Sequence, residues 1–169
     1  LFRSHHFGAN GDMVIRTPVF DRVAREGVNF RHAFCSSPSC TPSRGALLTG
    51  QQFWRLEDGA NLWSRWPAKF AVYPDALAVA GYHVGLQGKG WGPGNATFTG
   101  RTNNPAGPAA RDFATFLRNK PADKPFCFWF GSHDPHVPWT TGEKYRAGIN
   151  MAAIRVPPHL PDHAVIRED

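Results

Sequence analysis

Three short clusters in the sequence carry residues able to do chemistry together. The first is Cys40-Thr41-Pro42-Ser43-Arg44. Pro42 suits the opening turn of a helix, where no backbone N–H is needed for an internal hydrogen bond. A helix predicted over residues 42–48 would hold Arg44 in its first turn, close to the preceding thiol. A guanidinium and the free N–H groups of that turn would then surround one sulfur, a setting for a nucleophile that meets an anion. The second cluster is the glycine-rich loop Gly88-Lys89-Gly90-Trp91-Gly92-Pro93-Gly94, whose single ammonium can neutralise charge on a bound oxyanion. The third is Ser132-His133-Asp134-Pro135-His136-Val137-Pro138-Trp139. A histidine titrates near neutrality and suits general-acid work, so His136 is the candidate acid, with His133 and Asp134 to orient it or touch substrate. Trp139 could offer a platform to a sugar ring or simply pack at a rim. The bland alternatives are a cysteine buried before a helix, a solvated loop lysine and two histidines in a polar loop.

These clusters need elements to position them. Thr17-Pro18, the apolar positions Val19, Phe20, Val23 and Ala24, and then Gly27 read as a short helix with one face on a core. Residues 28–34 read as a brief extended segment, and residues 75–80 as a helix stopped by Gly81. Residues 82–86 form a predicted strand that runs into the Lys89 loop. Residues 109–119 are predicted helical, with Phe113, Phe116 and Leu117 on one side. Phe126-Cys127-Phe128-Trp129-Phe130 is a continuous apolar run between Pro125 and Gly131, the pattern of a buried central strand. Helices alternating with apolar strands predict an α/β fold with a mostly parallel sheet flanked by helices. Both polar loops then leave C-terminal strand ends, where open α/β sheets place ligands.

Composition narrows the classes. The 169 residues predict about one domain. With 13 Phe and 6 Trp, core material is plentiful and disorder is excluded. A net charge of +6 is compatible with an anionic partner, but the basic residues are scattered and form no stripe, so no nucleic-acid partner is expected. No apolar run is long enough to span a membrane. Cys35, Cys40 and Cys127 form no paired framework and no zinc spacing, and Cys35 and Cys127 read as inert core thiols. His5 and His6 lack further ligands nearby and read as surface or subsite residues.

Cys40 to Gly50 resembles the signature of the sulfatases, with the fixed Cys, Pro, Ser, Arg, Leu, Thr and Gly positions all present. The segment from Thr17 to Phe30 resembles the lead-in to that signature, the Lys89 loop resembles the family's Gly-Lys loop, and His136 matches its His-x-Pro element. The resemblance implies an alkaline-phosphatase-like α/β sandwich of which this chain is the N-terminal part. Residues 1–169 would then be a partial catalytic domain, with residues 140–169 a loop-rich surface excursion. It further implies that Cys40 is converted by a formylglycine-generating enzyme to formylglycine, which acts as nucleophile and metal ligand. Arg44, Lys89 and His136 would be its catalytic partners, and Lys89, His133, Asp134 and Trp91 would contact substrate. Trp91 stands where many relatives carry a histidine, unless the register slips by a residue. Calcium would be the cofactor, its remaining acidic ligands would lie outside this chain, and the fragment alone would be inactive. The implied substrate is a sulfated carbohydrate, with motifs nearest to sulfamidase-like members, and the implied location is periplasmic or secreted. A phosphate or phosphonate monoester hydrolase and a non-catalytic binder of anionic glycans are the competing readings.

Overall fold

The computed structural model describes residues 7–133, 136–138 and 148–168. The candidates His5, His6, Asp134 and Trp139 lie outside them. The described residues fall into two units: one holds those up to Ala33 and those after His133, the other spans Phe34–His133.

In the first unit, helix α1 is Pro18–Glu26, stopped at Gly27 as the sequence predicts. Thr17 does not cap it, because its hydroxyl accepts from Gly8 N at 2.9 Å and donates to Asp21 at 3.0 Å. The apolar face of α1 is not on a core: Val19, Phe20 and Val23 are exposed, and a ring contact between Phe7 and Phe20 is what this unit sets against it. Residues 28–34 form no strand.

The second unit carries the sheets. Helix α2 is Cys40–Thr49, ending at Gly50 in a left-handed conformation. It begins two residues before the predicted start. Its first internal bond is Ser43 N to Ser39 O, so Pro42 still sits in a turn where an N–H has no helical partner. Strand β1 (Ser64–Arg65) pairs in parallel with β3 (Gly94–Asn95), and β2 (His83–Gly88) pairs in parallel with β4 (Phe126–Gly131). Helix α3 is Tyr73–Val79, and α4 is Phe113–Asn119. Helix α4 starts four residues later than predicted because Ala109 and Ala110 are committed to β2: Leu86 bridges Ala109, and Ala110 N donates to Leu86 O. Asp112 then opens the helix by accepting from Thr115 N at 2.7 Å.

Both strand pairs being parallel agrees with the α/β expectation. The apolar run of β4 is less buried than its composition predicts, with Phe126 45% and Phe130 65% exposed. The rings of Phe113 and Phe116 on α4 reach Phe126 and Phe128, and no such contact covers Phe130 among the described residues. The core of this unit is a cluster of Leu48, Trp66, Val72, Leu86, Trp91 and Ala106.

The end of the chain returns to the first unit. Residues 148–168 hold a turn at Met151–Ala153 and helix α5 (Ala164–Glu168). Arg167 ties them together through Asp162 at 2.6 Å and the carbonyls of Met151 and Ile154. No helix among the described residues is long and apolar enough to cross a membrane.

Candidate active site

Cys40 opens α2, and Arg44 follows it by four residues, so both side chains lie on one face of the helix. Lys89 comes from the loop after β2. Its Nζ lies 3.1 Å from Cys40 Sγ, which joins the first two sequence clusters in one place. All three residues are half-buried.

The Lys89 loop is held by its backbone. Arg44 Nη1 donates to Lys89 O at 2.5 Å and to Gly90 O at 3.3 Å, and Trp129 Nε1 donates to the same Lys89 carbonyl at 3.0 Å. Lys89 N donates to Gly131 O at 2.8 Å. At Gly131 a Cβ would collide with the Lys89 carbonyl, and at Gly88 (φ +75°) it would collide with Gly131 O. Glycine is required at both strand ends because two backbones touch there. Thus Arg44 serves as a clamp on the loop as well as a charge near the thiol. Burial lowers the Arg44 pKa, and the neighbouring Cys40 partly offsets this; a guanidinium remains charged all the same.

Trp91 requires a correction. It is 3% exposed, meets Trp66 edge-on at 5.2 Å and donates its Nε1 to Gly59 O at 3.1 Å. The indole is therefore core, not a substrate contact. Asn104 pins it from the backbone, accepting from Trp91 N and donating to Trp91 O, both at 2.9 Å. Asn104, Trp129 and Gly131 are the positioning residues that sequence reasoning missed. Trp129 carried a signal, since it alternates with Phe128 and Phe130 onto the opposite face of β4.

His133 is exposed, two residues past the end of β4, on the loop leaving the same sheet edge as Lys89. His136 belongs to the other unit and is exposed. Its Nδ1 lies 2.7 Å from Val137 O. A carbonyl only accepts, so Nδ1 bears the hydrogen and Nε2 is left to exchange a proton. Cys127 is half-buried and burial raises its pKa, keeping it a neutral thiol, whereas Cys35 is exposed rather than core.

Calcium takes about six to eight oxygen ligands. The partners found around Cys40 are an ammonium and a guanidinium, and the described residues contain no group of three or more His, Cys, Asp or Glu able to hold a metal. The described residues do not fit a calcium ion; they fit an anion. A cleft of about 440 Å³ lined by Asp75, Val84 and Arg101 lies apart from this cluster, and Arg101 in it is already paired with Asp75 at 2.8 Å.

Comparison with known proteins identifies the family. The model of the family described as Sulfatase matches residues 2–150. The chain is 31% identical over 150 residues to an N-acetylgalactosamine-6-O-sulfatase of Bacteroides thetaiotaomicron, covering 82% of this chain and 29% of that one. It is 36% identical over 92 residues to an arylsulfatase of Clostridium perfringens, covering 52% and 18%. It is 43% identical over 94 residues to human steryl-sulfatase, covering 48% and 16%. The chain spans less than a third of the length of each of these relatives.

Proposed function

This chain belongs to the sulfatase family, and on that premise we propose that it carries the nucleophile and the anion-holding side of a hydrolase of sulfuric esters or sulfamates. The observation that supports this most directly is the 3.1 Å approach of Lys89 Nζ to Cys40 Sγ. A group attached at the Cys40 Cβ stands beside a fixed ammonium, at the start of a helix and one turn from a guanidinium. That is where an attacking atom and a sulfate oxygen would both be stabilised.

As formylglycine, made by a formylglycine-generating enzyme, Cys40 would supply a hydrate oxygen as the nucleophile. The thiol sulfur stands in for that oxygen. Lys89 neutralises the anion through its ammonium. Arg44 keeps the Lys89 loop in place and adds positive potential. His136, with Nε2 available, would give a proton to the leaving oxygen or nitrogen. His133 and Asp134 would contact the substrate. Calcium belongs to this reading as a cofactor whose oxygen ligands would have to come from elsewhere in the whole protein. The relative named as an N-acetylgalactosamine-6-O-sulfatase favours a sulfated carbohydrate as substrate.

Two cations beside one nucleophile would also receive a phosphate or phosphonate monoester, so the test compares the two. The intact gene product is assayed on matched aryl sulfate and aryl phosphate esters, and its Cys40 peptide is weighed for conversion of –CH2SH to –CHO. The expected result is an aldehyde at Cys40 and a kcat/KM at least about tenfold higher for the sulfate, a difference of about 1.4 kcal/mol in transition-state binding. Preferred turnover of the phosphate would overturn the sulfatase reading. A native thiol with binding of sulfated glycan but no hydrolysis would leave a non-catalytic binder in its place.

A further inference from the structure

The loop over residues 88–94 that carries Lys89 has glycine at four of its seven positions, so few side chains can anchor it. The Lys89 ammonium faces Cys40, and the Trp91 indole goes into the core. The loop's path must therefore be fixed largely through its main chain. Near its start, Lys89 O and Gly90 O accept from Arg44. Toward its end, Pro93 O accepts from Thr41 Oγ1 at 2.9 Å and from Trp63 N at 2.8 Å.

Thr41 is fully buried and directly follows Cys40. A threonine inside a helix can turn its hydroxyl back onto a carbonyl three or four residues earlier. Thr41 is the second residue of α2 and has no helical turn before it. Its hydroxyl instead reaches a carbonyl 52 residues further along the chain. Thr41 and Arg44 are three apart, which makes them neighbours on the helix surface. The helix that opens with Cys40 thus grips the Lys89 loop twice, at Lys89–Gly90 through Arg44 and at Pro93 through Thr41. A loop held at two points on one helical turn cannot pivot about either of them. The 3.1 Å between Cys40 Sγ and Lys89 Nζ is then maintained from α2 itself.

We propose that Thr41 is a positioning residue whose hydroxyl, by holding Pro93 O, sets where Lys89 stands relative to the reacting atom at Cys40. This rests on the proposed function, since the anion that Lys89 meets is the sulfate of that reading. Thr41→Val isolates the hydroxyl, because valine keeps the β-branched shape and removes only the donor. Pro93 O retains the Trp63 N–H, so no buried acceptor is orphaned and the fold should survive the change. A displacement of about 1 Å in an active site can cost about 100-fold in rate, so losing one of several anchors should cost about tenfold.

The first arm of the test needs no turnover. The intact gene product is made without a formylglycine-generating enzyme, so that Cys40 stays a thiol, and is treated with ortho-phthalaldehyde. This reagent joins a thiol and an amine lying side by side into a fluorescent isoindole, both aldehyde oxygens leaving as water. Peptide mass mapping is expected to place the link between Cys40 and Lys89, and Lys89→Ala to abolish it. Thr41→Val is expected to slow its formation about tenfold, and Thr41→Ser to keep most of the parent rate. In the converted protein, with rates divided by formylglycine content, Thr41→Val should lower kcat/KM for 4-nitrophenyl sulfate about tenfold. It should cost less than about twofold where Lys89 is already alanine, because both changes then act through one group. Its melting temperature should stay within about three degrees of the parent. An unchanged isoindole rate or kcat/KM in Thr41→Val, equal slowing in Thr41→Ser, an undiminished cost in Lys89→Ala, or a larger fall in melting temperature would overturn the proposal. If the link responds as expected but phosphate is preferred to sulfate, or neither ester is turned over, the sulfatase reading falls and the placement of Lys89 by Thr41 stands. If the parent forms no link, Cys40 and Lys89 are not neighbours and both fall.

Discussion

Lys89 and Arg44 are both cations near one sulfur, and what keeps them there is not a carboxylate but the Lys89 carbonyl. Arg44 Nη1 and Trp129 Nε1 both donate to that oxygen, so the loop is gripped by its main chain while its ammonium stays free to face the ligand. The two residues should therefore fail differently. Lys89→Ala removes charge at the anion and leaves the loop's grip intact; the expected loss is about 100- to 1,000-fold in kcat, as for one electrostatic donor in other active sites. Arg44→Lys keeps the charge but loses the planar guanidinium whose Nη1 donates to both Lys89 O and Gly90 O. Its expected effect is a misplaced Lys89, seen as a fall in kcat accompanied by a melting temperature a few degrees lower. Steady-state kinetics and thermal melts of the intact gene product check both. Should Arg44→Lys melt like the parent while losing activity as Lys89→Ala does, Arg44 would be acting by charge alone. The types and spacing of Cys40, Arg44 and Lys89 were legible in the sequence. Trp91 was misread because a tryptophan in a glycine-rich loop gives no sign of which way it points; Gly59 O and the Trp66 ring, which take it into the core, are more than twenty residues away in the chain.

Helix α4 shows how an element is started, and why its boundary was misjudged. The Phe113, Phe116 and Leu117 periodicity located the helix, but nothing local revealed that Ala109 and Ala110 would be taken by Leu86 in β2. A long-range backbone bond outweighed helix propensity there. The start of α2 was hidden for another reason: proline is tolerated throughout a first turn, so Pro42 marks the turn without marking its first residue. At α4 the start is set by Asp112. The bond its carboxylate accepts from Thr115 N, with further help from the Thr115 side chain and Arg111, lowers its pKa to about 2. The ordinary value is 3.8, so the folded state is the weaker proton binder. The stabilisation is complete above the ordinary carboxylate range and is lost as pH falls through about 2. Amide exchange in α4 is expected to accelerate across that window in the parent and to show no such step in Asp112→Ala, which should exchange faster at neutral pH as well. A step that survives in Asp112→Ala would assign the titration to another group.

At the scale of the whole molecule, two tryptophans share the core that supports the site, and their polar atoms are treated oppositely. Trp66 is fully buried, and its Nε1 has no hydrogen-bond partner among the described residues. Trp91, packed edge-on against it, donates its Nε1 to Gly59 O at 3.1 Å. An unmet buried donor costs about 1–3 kcal/mol, and breaking a buried bond leaves the acceptor with a penalty of similar size. Replacing either indole by phenyl removes similar volume from the same cluster, so the cavity terms nearly cancel in a comparison. Trp66→Phe abolishes an unsatisfied N–H; Trp91→Phe creates an unsatisfied Gly59 carbonyl. Trp91→Phe is therefore expected to be the more destabilising by about 2 kcal/mol, read from urea midpoints of the two variants. The same pair separates stability from function. The Trp91–Gly59 bond ties the Lys89 loop to the segment between Leu56 and Trp66, so Trp91→Phe should also weaken anion binding, whereas Trp66→Phe should leave it unchanged. Equal urea midpoints would mean that Trp66 Nε1 is satisfied in solution, and the core would then supply no reason for the two tryptophans to differ.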